Sequence, residues 1–553
     1  MKKQRLKTVF LYYCAMFIVR NLIVISVLFS VVISKAQQLA LPLRTSISLV
    51  GNYAELRRNH FHMGLDFKTE GRENLSVYAA AGGYVSRILV SPGGYGKCLY
   101  LNHPKQGLTT VYAHLNEFAP EIQYWVDETQ YALRKNTLDT VLPIDLFPIV
   151  KEQIIAKSGN TGRSSAPHLH FETRNMITER TINPLRFYPQ IYDEKQPKLG
   201  SILLYDCRNE SSTYLKSIQN ERMMTIHQSE IGVAISAADF MTDTTSVMGI
   251  YQINLYENDH LIYSLKFDSL SFHHGSHIRS MSDYSIQTSD VYKLFYEQCG
   301  FNITDSGAKN GILYFEVGEV KSIIVEALDY HGNRVYSNFS LRYEPEITMG
   351  ARIIRSKASC GFEQRINAGN FEIIIPPFGI SGNPELRYNT NYSQANEVLN
   401  LNLMSENTTI LVPYQLRYRV ANKQEIHSKL YMETKLDGKP KSYAGVWVDN
   451  LLEFKAIKNA GRLSVKYDQK PPIISNPRRI GDEFVVTIDD NESGIQDYHF
   501  FIDNEWRKIY FDEKTNRLIY RLFQEDKGRR LTYRFEVTDK VGNQKTHSGE
   551  IIF

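Results

Sequence analysis

Apolar and polar residues alternate with a period of two along much of this 553-residue chain, and that pattern makes strands its main building element. A strand turns successive side chains to opposite faces, so alternation yields one dry face and one wet one. Ile250 to Tyr256 and Ser322 to Leu328 read this way, as does Pro167-His168-Leu169-His170-Phe171-Glu172. Ser76 to Ala80, Gly83 to Leu89, Lys97 to Leu101 and Thr109 to Ala113 read as shorter strands, punctuated by Gly93-Gly94 and His103-Pro104. Counts of 35 Tyr and 27 Phe against 3 Trp fit half-buried strand surfaces. A short helix is expected around Glu128 to Leu138.

The length exceeds what one core can serve, and about 150 residues per domain gives three or four units. Residues 1–36 stand apart. Lys2, Lys3, Arg5 and Lys7 precede apolar stretches broken at Arg20-Asn21, and Ser34-Lys35-Ala36 offers small residues for cleavage after Ala36. Neither apolar piece reaches the ~20 residues of a spanning helix. The expectation is an exported chain, free or tethered at its N-terminus. A Gly- and His-dense unit follows over 37–194, then alternating units over 195–345, 346–470 and 471–553. The first and last of these share a weak repeat. Gly249-Ile250 leads to the turn Glu257-Asn258-Asp259, as Gly494-Ile495 leads to Asp503-Asn504-Glu505. Asp329 to Asn333 and Asp539 to Asn543 then share a D-x-x-G-N spacing. That is the pattern of a small β-sandwich of the immunoglobulin-like kind. Residues 346–470 read as β-rich, also as a sandwich, and Lys470-Pro471-Pro472 as a stiff linker. A net charge of +4 gives no concentrated basic face for nucleic acid. Cys98, Cys207, Cys299 and Cys360 form no C-x-x-C pair, which speaks against a cysteine zinc site.

Chemistry concentrates in 37–194. His62-Met63-Gly64-Leu65-Asp66 pairs an imidazole with a carboxylate, both suited to zinc. On a straight strand they would lie about 13 Å apart, so the chain must bend between them, and Gly64 permits it. His168 and His170 share one strand face, roughly 6.6 Å apart, with Leu169 and Phe171 facing a core. With 15 His in the chain, chance alone supplies about 0.4 such pairs. His114 closes the run Tyr112-Ala113-His114-Leu115, and a polar loop, Ser158 to Ala166, feeds the H-x-H strand. Within that loop Asn160, Thr161, Arg163 and Ser164 are candidate substrate contacts. Phe272-His273-His274-Gly275-Ser276-His277 lacks a carboxylate partner and reads as a solvated loop.

Together H-M-G-L-D from His62, Y-A-H-L from Tyr112 and S-G-N-T-G-R-S-S-A-P-H-L-H-F-E from Ser158 resemble the lysostaphin-type (LytM-type) zinc endopeptidases of peptidoglycan. The resemblance covers about residues 40 to 192. It implies a mainly β protein: an N-terminal antiparallel β-sheet zinc peptidase domain of the duplicated-hybrid-motif type, followed by the sandwiches. It implies one zinc per chain on His62, Asp66 and His170, with His114 and His168 as catalytic histidines that do not bind metal. Three protein ligands leave a position for water, whose pKa zinc lowers from 15.7 to about 7. Which histidine is the base stays open. The implied partners are peptidoglycan peptide stems, with envelope proteins as candidates for the sandwiches; the lack of a Gram-positive wall-targeting module and the type of signal point to a D-alanyl link to meso-diaminopimelate as the bond cut, which the sequence does not itself name. The implied location is the periplasm or envelope of a Gram-negative bacterium. A non-catalytic wall binder or amidase activator is the alternative, disfavoured because all five residues are present. The chain departs from the family at Val150 to Ala156, which lacks the usual glycines, and in its longer stretch from Glu117 to Pro148. A boundary near Lys195 further predicts that the N-terminal unit keeps its metal when the rest is removed.

Overall fold

The computed structural model describes residues 38–552 other than 58–59, 209–211, 219–221, 243–245, 273–277, 283–290, 296–309, 346–360, 381–387, 394–397, 404–409, 420–428, 437–438, 450 and 459–460. The segment 1–36 expected to direct export lies outside these residues, as do Cys299, Cys360 and the histidines of 273–277. Among the described residues no helix is long and apolar enough to cross a membrane.

The protein is mainly β, as alternation requires. The N-terminal unit is built on an antiparallel sheet. Its strands run, in spatial order, Leu49–Gly51, Leu65–Lys68, His168–Asn175, Leu108–Phe118, Lys97–His103, Gly83–Val90 and Pro148–Ile149. Leu169, Phe171, Tyr112 and Leu115 enter the core from this sheet. Among the described residues the one substantial helix is Pro120–Leu133, earlier than the expected Glu128 to Leu138. Pro120 fits the first helical turn, where a missing N–H costs nothing. Arg134, left-handed at φ 51°, ends the helix. Leu138 instead opens a strand, Leu138–Val141, paired with Gly83–Val90.

Each later region is built from two sheets. In the first, the strands around Lys198–Asp206 and Glu230–Phe240 face a sheet ordered Met223–Ile226, Arg334–Tyr343, Val320–Leu328, Gln252–Glu257, His260–Lys266. The turns of the repeat do the work their residues suit. Asn258 and Asp259 are left-handed, as are Asp503 and Asn504, which is the two-residue hairpin geometry such residues tolerate. One apolar core runs without a break from Leu39 through Leu341, uniting the N-terminal unit with the region behind it. Separate cores serve Ala368 to Val465 and Phe484 to Val537.

Candidate active site

Register assembles the site. On the central strand His170 lies opposite Asp66 on one side and Ala113 on the other, so His114 falls beside it. His62 comes from the preceding strand, His60–Phe61, and the chain turns at Met63-Gly64 to re-enter the sheet. Gly64 is required here for closeness: a Cβ would sit 2.3 Å from the Phe171 carbonyl oxygen.

His62 Nε2, Asp66 Oδ1 and His170 Nδ1 form a triangle with each side 2.9 Å. All three side chains are buried. Their other ring atoms are already committed. His62 Nδ1 lies 2.6 Å from the Asn52 carbonyl oxygen, an acceptor only, so this nitrogen donates and Nε2 keeps its lone pair. His170 Nε2 donates to Glu172 Oε1 at 2.9 Å, which turns Nδ1 toward the triangle. Burial lowers His62 to about 4, so it is neutral. Burial also works against a charged His170, but hydrogen bonds to Asp66 and Glu172 outweigh it and raise it to about 9. One proton on His170 Nδ1 can thus bridge to its two neighbours, while His62 Nε2 and Asp66 Oδ1 approach with lone pairs alone. A cation resolves that contact, and two imidazoles with one carboxylate suit zinc.

An outer layer fixes these three side chains. Glu172 is completely buried. It accepts from Tyr95 Oη at 2.5 Å and from Arg174 Nε at 2.7 Å, on opposite oxygens. Burial would raise its pKa, but Arg174 and the bond from His170 outweigh that and hold it at about 2. Arg57 Nη2 grips Asp66 Oδ2 at 2.7 Å. No sequence motif points to Tyr95, Arg57 or Arg174. Glu172 had a local signal, since it shares a strand face with His170 two residues earlier.

His114 and His168 lie beside the triangle, their rings tilted by 56° with centroids 4.8 Å apart. His114 Nδ1 donates to the Thr161 carbonyl at 2.8 Å, and His168 Nδ1 to the Ala166 carbonyl at 2.8 Å. Each therefore keeps Nε2 as its free base. That of His168 is buried, lies 3.5 Å from Asp66 Oδ1 and has no hydrogen-bond partner. Burial drives His114 down to about 3, with His170 and His168 adding to the effect. His114 is also left-handed, φ 59°, a strained state for a residue with a Cβ.

The loop candidates divide. Thr161 Oγ1 bridges to the Leu115 carbonyl at 2.8 Å, and Ser164 Oγ donates to the Ala166 carbonyl that also holds His168. Asn160 Oδ1 is buried without a partner, while its main-chain oxygen takes Lys514 Nζ. Arg163 is exposed, 3.9 Å from Glu513. The last unit thus rests a hairpin on this loop, backed by an ion pair between Lys508 and Asp127. His60 is exposed in the short strand that leads into His62.

Residues 60–132 match the model of peptidase family M23. The match contains His62, Asp66 and His114, and the fold adds the strand bearing His168 and His170. A Haemophilus influenzae protein described as an uncharacterized metalloprotease is 32% identical over 124 residues, 22% of this chain and 20% of that protein. A DD-carboxypeptidase/endopeptidase of Neisseria meningitidis is 29% identical over 124 residues, 22% of each. The chain thus spans about a fifth of the length of these curated relatives. The catalytic domain of lysostaphin from Staphylococcus simulans is 23% identical, covering 26% of this chain and 92% of that domain, with a TM-score of 0.20.

Proposed function

We propose that this chain, whose N-terminal unit carries the peptidase family M23 match, is a zinc-dependent endopeptidase that hydrolyses peptide cross-links in bacterial peptidoglycan. The observation that carries the reading is the 2.9 Å triangle of His62, Asp66 and His170, with both imidazole tautomers set by acceptor-only partners. His62, Asp66 and His170 would hold the zinc, which when bound supplies a Lewis acid and lowers the pKa of a water to about 7.

The remaining work falls to the protein's own groups. His168 presents an unpartnered Nε2 on the Asp66 side of the site, placed to take the proton of the attacking water and to return it to the leaving amine. His114 Nδ1 donates to the Thr161 carbonyl, so its Nε2 would donate to the substrate's carbonyl oxygen, as charge develops there, only after taking up a proton. Asn160 and Arg163 are candidate contacts for the peptide stem. Action on the wall requires export, so the periplasm or envelope is the proposed location.

Purified protein should hold about one zinc and release cross-linked fragments from sacculi, read by mass analysis of the digest. His62→Ala should lose both metal and activity. His168→Ala should keep the zinc and lose activity by about 10²–10⁴-fold. Wild type inert on every wall preparation while carrying its zinc would overturn the proposal.

A further inference from the structure

The long stretch from Glu117 to Pro148 carries a dock for the last unit. Asn136, just after the helix Pro120–Leu133, clamps two backbone groups of that unit. Its Nδ2 donates to the Tyr498 carbonyl at 3.1 Å, and its Oδ1 accepts from the Ile509 N–H at 2.9 Å. The side chain of Gln130, itself buried, donates to the Asn136 carbonyl at 2.7 Å. On the helix, Tyr131 meets the buried Trp506 edge to face, ring centroids 5.4 Å apart. An amide that serves one donor and one acceptor on a facing backbone fixes its partner in both position and orientation.

From that anchor the chain runs directly into a hairpin, Tyr510–Asp512 paired with Arg517–Arg521. Asp512 builds the turn. Its carboxylate accepts from the Lys514 N–H at 3.1 Å and from the Thr515 hydroxyl at 2.7 Å, and Asn516 takes the left-handed state at φ 54°. The turn delivers Glu513 and Lys514 to the loop that begins at Ser158. Lys514 Nζ donates to the Asn160 carbonyl at 2.5 Å. Glu513 lies against Gly93, where a Cβ would meet its Oε2 at 2.8 Å.

The loop is pinned to the sheet through Thr161 Oγ1, which donates to the Leu115 carbonyl at 2.8 Å and accepts from the Lys97 N–H at 2.9 Å. Its main chain is divided between two further partners. The Asn160 carbonyl takes Lys514, and the next carbonyl, that of Thr161, accepts from His114 Nδ1 at 2.8 Å. These two oxygens belong to successive peptides, so a shift of the first moves the second. The contact with Lys514 is a charge-assisted bond to a main-chain oxygen, stronger than a neutral one. The ion pair of Arg163 with Glu513 is loose and exposed, and contributes little.

We propose that Lys514 is a positioning residue of the proposed peptidase site. Docked through Asn136, its hairpin holds the main chain at Asn160 and Thr161, and the Thr161 carbonyl orients the imidazole of His114. The last unit is thereby part of the site it rests on, although it supplies none of the metal triangle. The inference rests on the proposed peptidase reading for its effect on turnover, and on the geometry alone for its effect on the loop.

The test uses the zinc-loaded full chain and three variants. Lys514→Met removes the charge and keeps most of the length, Lys514→Arg keeps the charge, and Asn136→Ala undocks the hairpin at its root. Amide hydrogen exchange over 158–166 should be about tenfold faster in Lys514→Met and Asn136→Ala, and close to wild type in Lys514→Arg. The kcat on a cross-linked wall fragment should fall by about tenfold in the first two and recover in Lys514→Arg, with zinc content unchanged throughout. The double variant Lys514→Met/Asn136→Ala should lose no more than the larger single loss, because both changes act through one hairpin. Unchanged exchange or unchanged kcat in Lys514→Met would overturn the proposal. So would a raised kcat, which would make the hairpin a cover, or additive losses in the double variant. A wild type inert on every wall preparation would sink the peptidase reading instead, and the exchange rates would then decide this one.

Discussion

Each histidine of the proposed peptidase site spends one ring nitrogen on an acceptor, and so presents the other in a defined state. The acceptor for His170 is Glu172, whose own position depends on Tyr95 and Arg174. Outer partners of this kind typically change metal affinity by 10–100-fold. Tyr95→Phe removes one short hydrogen bond and little volume, so zinc affinity should fall by about tenfold, measured by competition with a chromophoric chelator. Glu172→Gln should cost more, since it also leaves the buried Arg174 without its counter-charge. Equal zinc affinity in wild type and Tyr95→Phe would show that Arg174 alone holds the carboxylate. His62, Asp66, His114, His168 and His170 were legible in the sequence because they sit in short, ordered motifs. Tyr95 and Arg57 were not, because they reach the ligands from separate segments and make their contacts through tertiary folding alone.

Among the elements, the strands were the most legible, since alternation reports directly on a two-faced sheet. Gly83 to Leu89 was expected and Gly83–Val90 is found. The helix starts at Pro120, earlier than the expected Glu128, because proline fits the first turn and can open it there. The loop from Ser158 is legible in the sequence, but its mode of support is not. It packs backbone to backbone on the turn Gly93 to Gly96. A Cβ on Gly162, at φ +73°, would meet Gly96 N at 2.3 Å and Gly94 O at 2.4 Å. Gly162→Ala must therefore push the loop away from that turn, and the Thr161 carbonyl that fixes His114 moves with it. The expected outcome is a kcat lowered by at least about tenfold with zinc content unchanged, because no ligand lies in the loop. Loss of zinc in this variant would show instead that the loop supports the metal triangle.

At the scale of the whole molecule, the sequence alone predicts that the N-terminal unit keeps its metal without the residues after Lys195. The structure argues against it. The strand Thr181–Ile182 pairs with Ser269–Leu270, so the two regions share a sheet as well as a core. Asn52 Nδ2 donates to the Gly249 carbonyl at 2.7 Å, and the Gly249 N–H donates back to Asn52 Oδ1 at 2.8 Å. The main-chain oxygen of this same Asn52 is the acceptor that orients His62. A residue of the second region thus holds the carbonyl that sets a ligand's tautomer. Truncation would remove Phe267 from the buried Phe61 of the N-terminal unit and confuse loss of fold with loss of orientation. Asn52→Ala in the full chain separates them, because it cuts the clamp and keeps the carbonyl. Two buried hydrogen bonds lost from one side chain cost about 1–3 kcal/mol, which a protein with so continuous a core can absorb. The folded variant should bind zinc about tenfold more weakly than wild type, measured by chelator competition beside a thermal melt. Undiminished zinc affinity with a lowered Tm would show that the clamp joins the two regions without positioning His62.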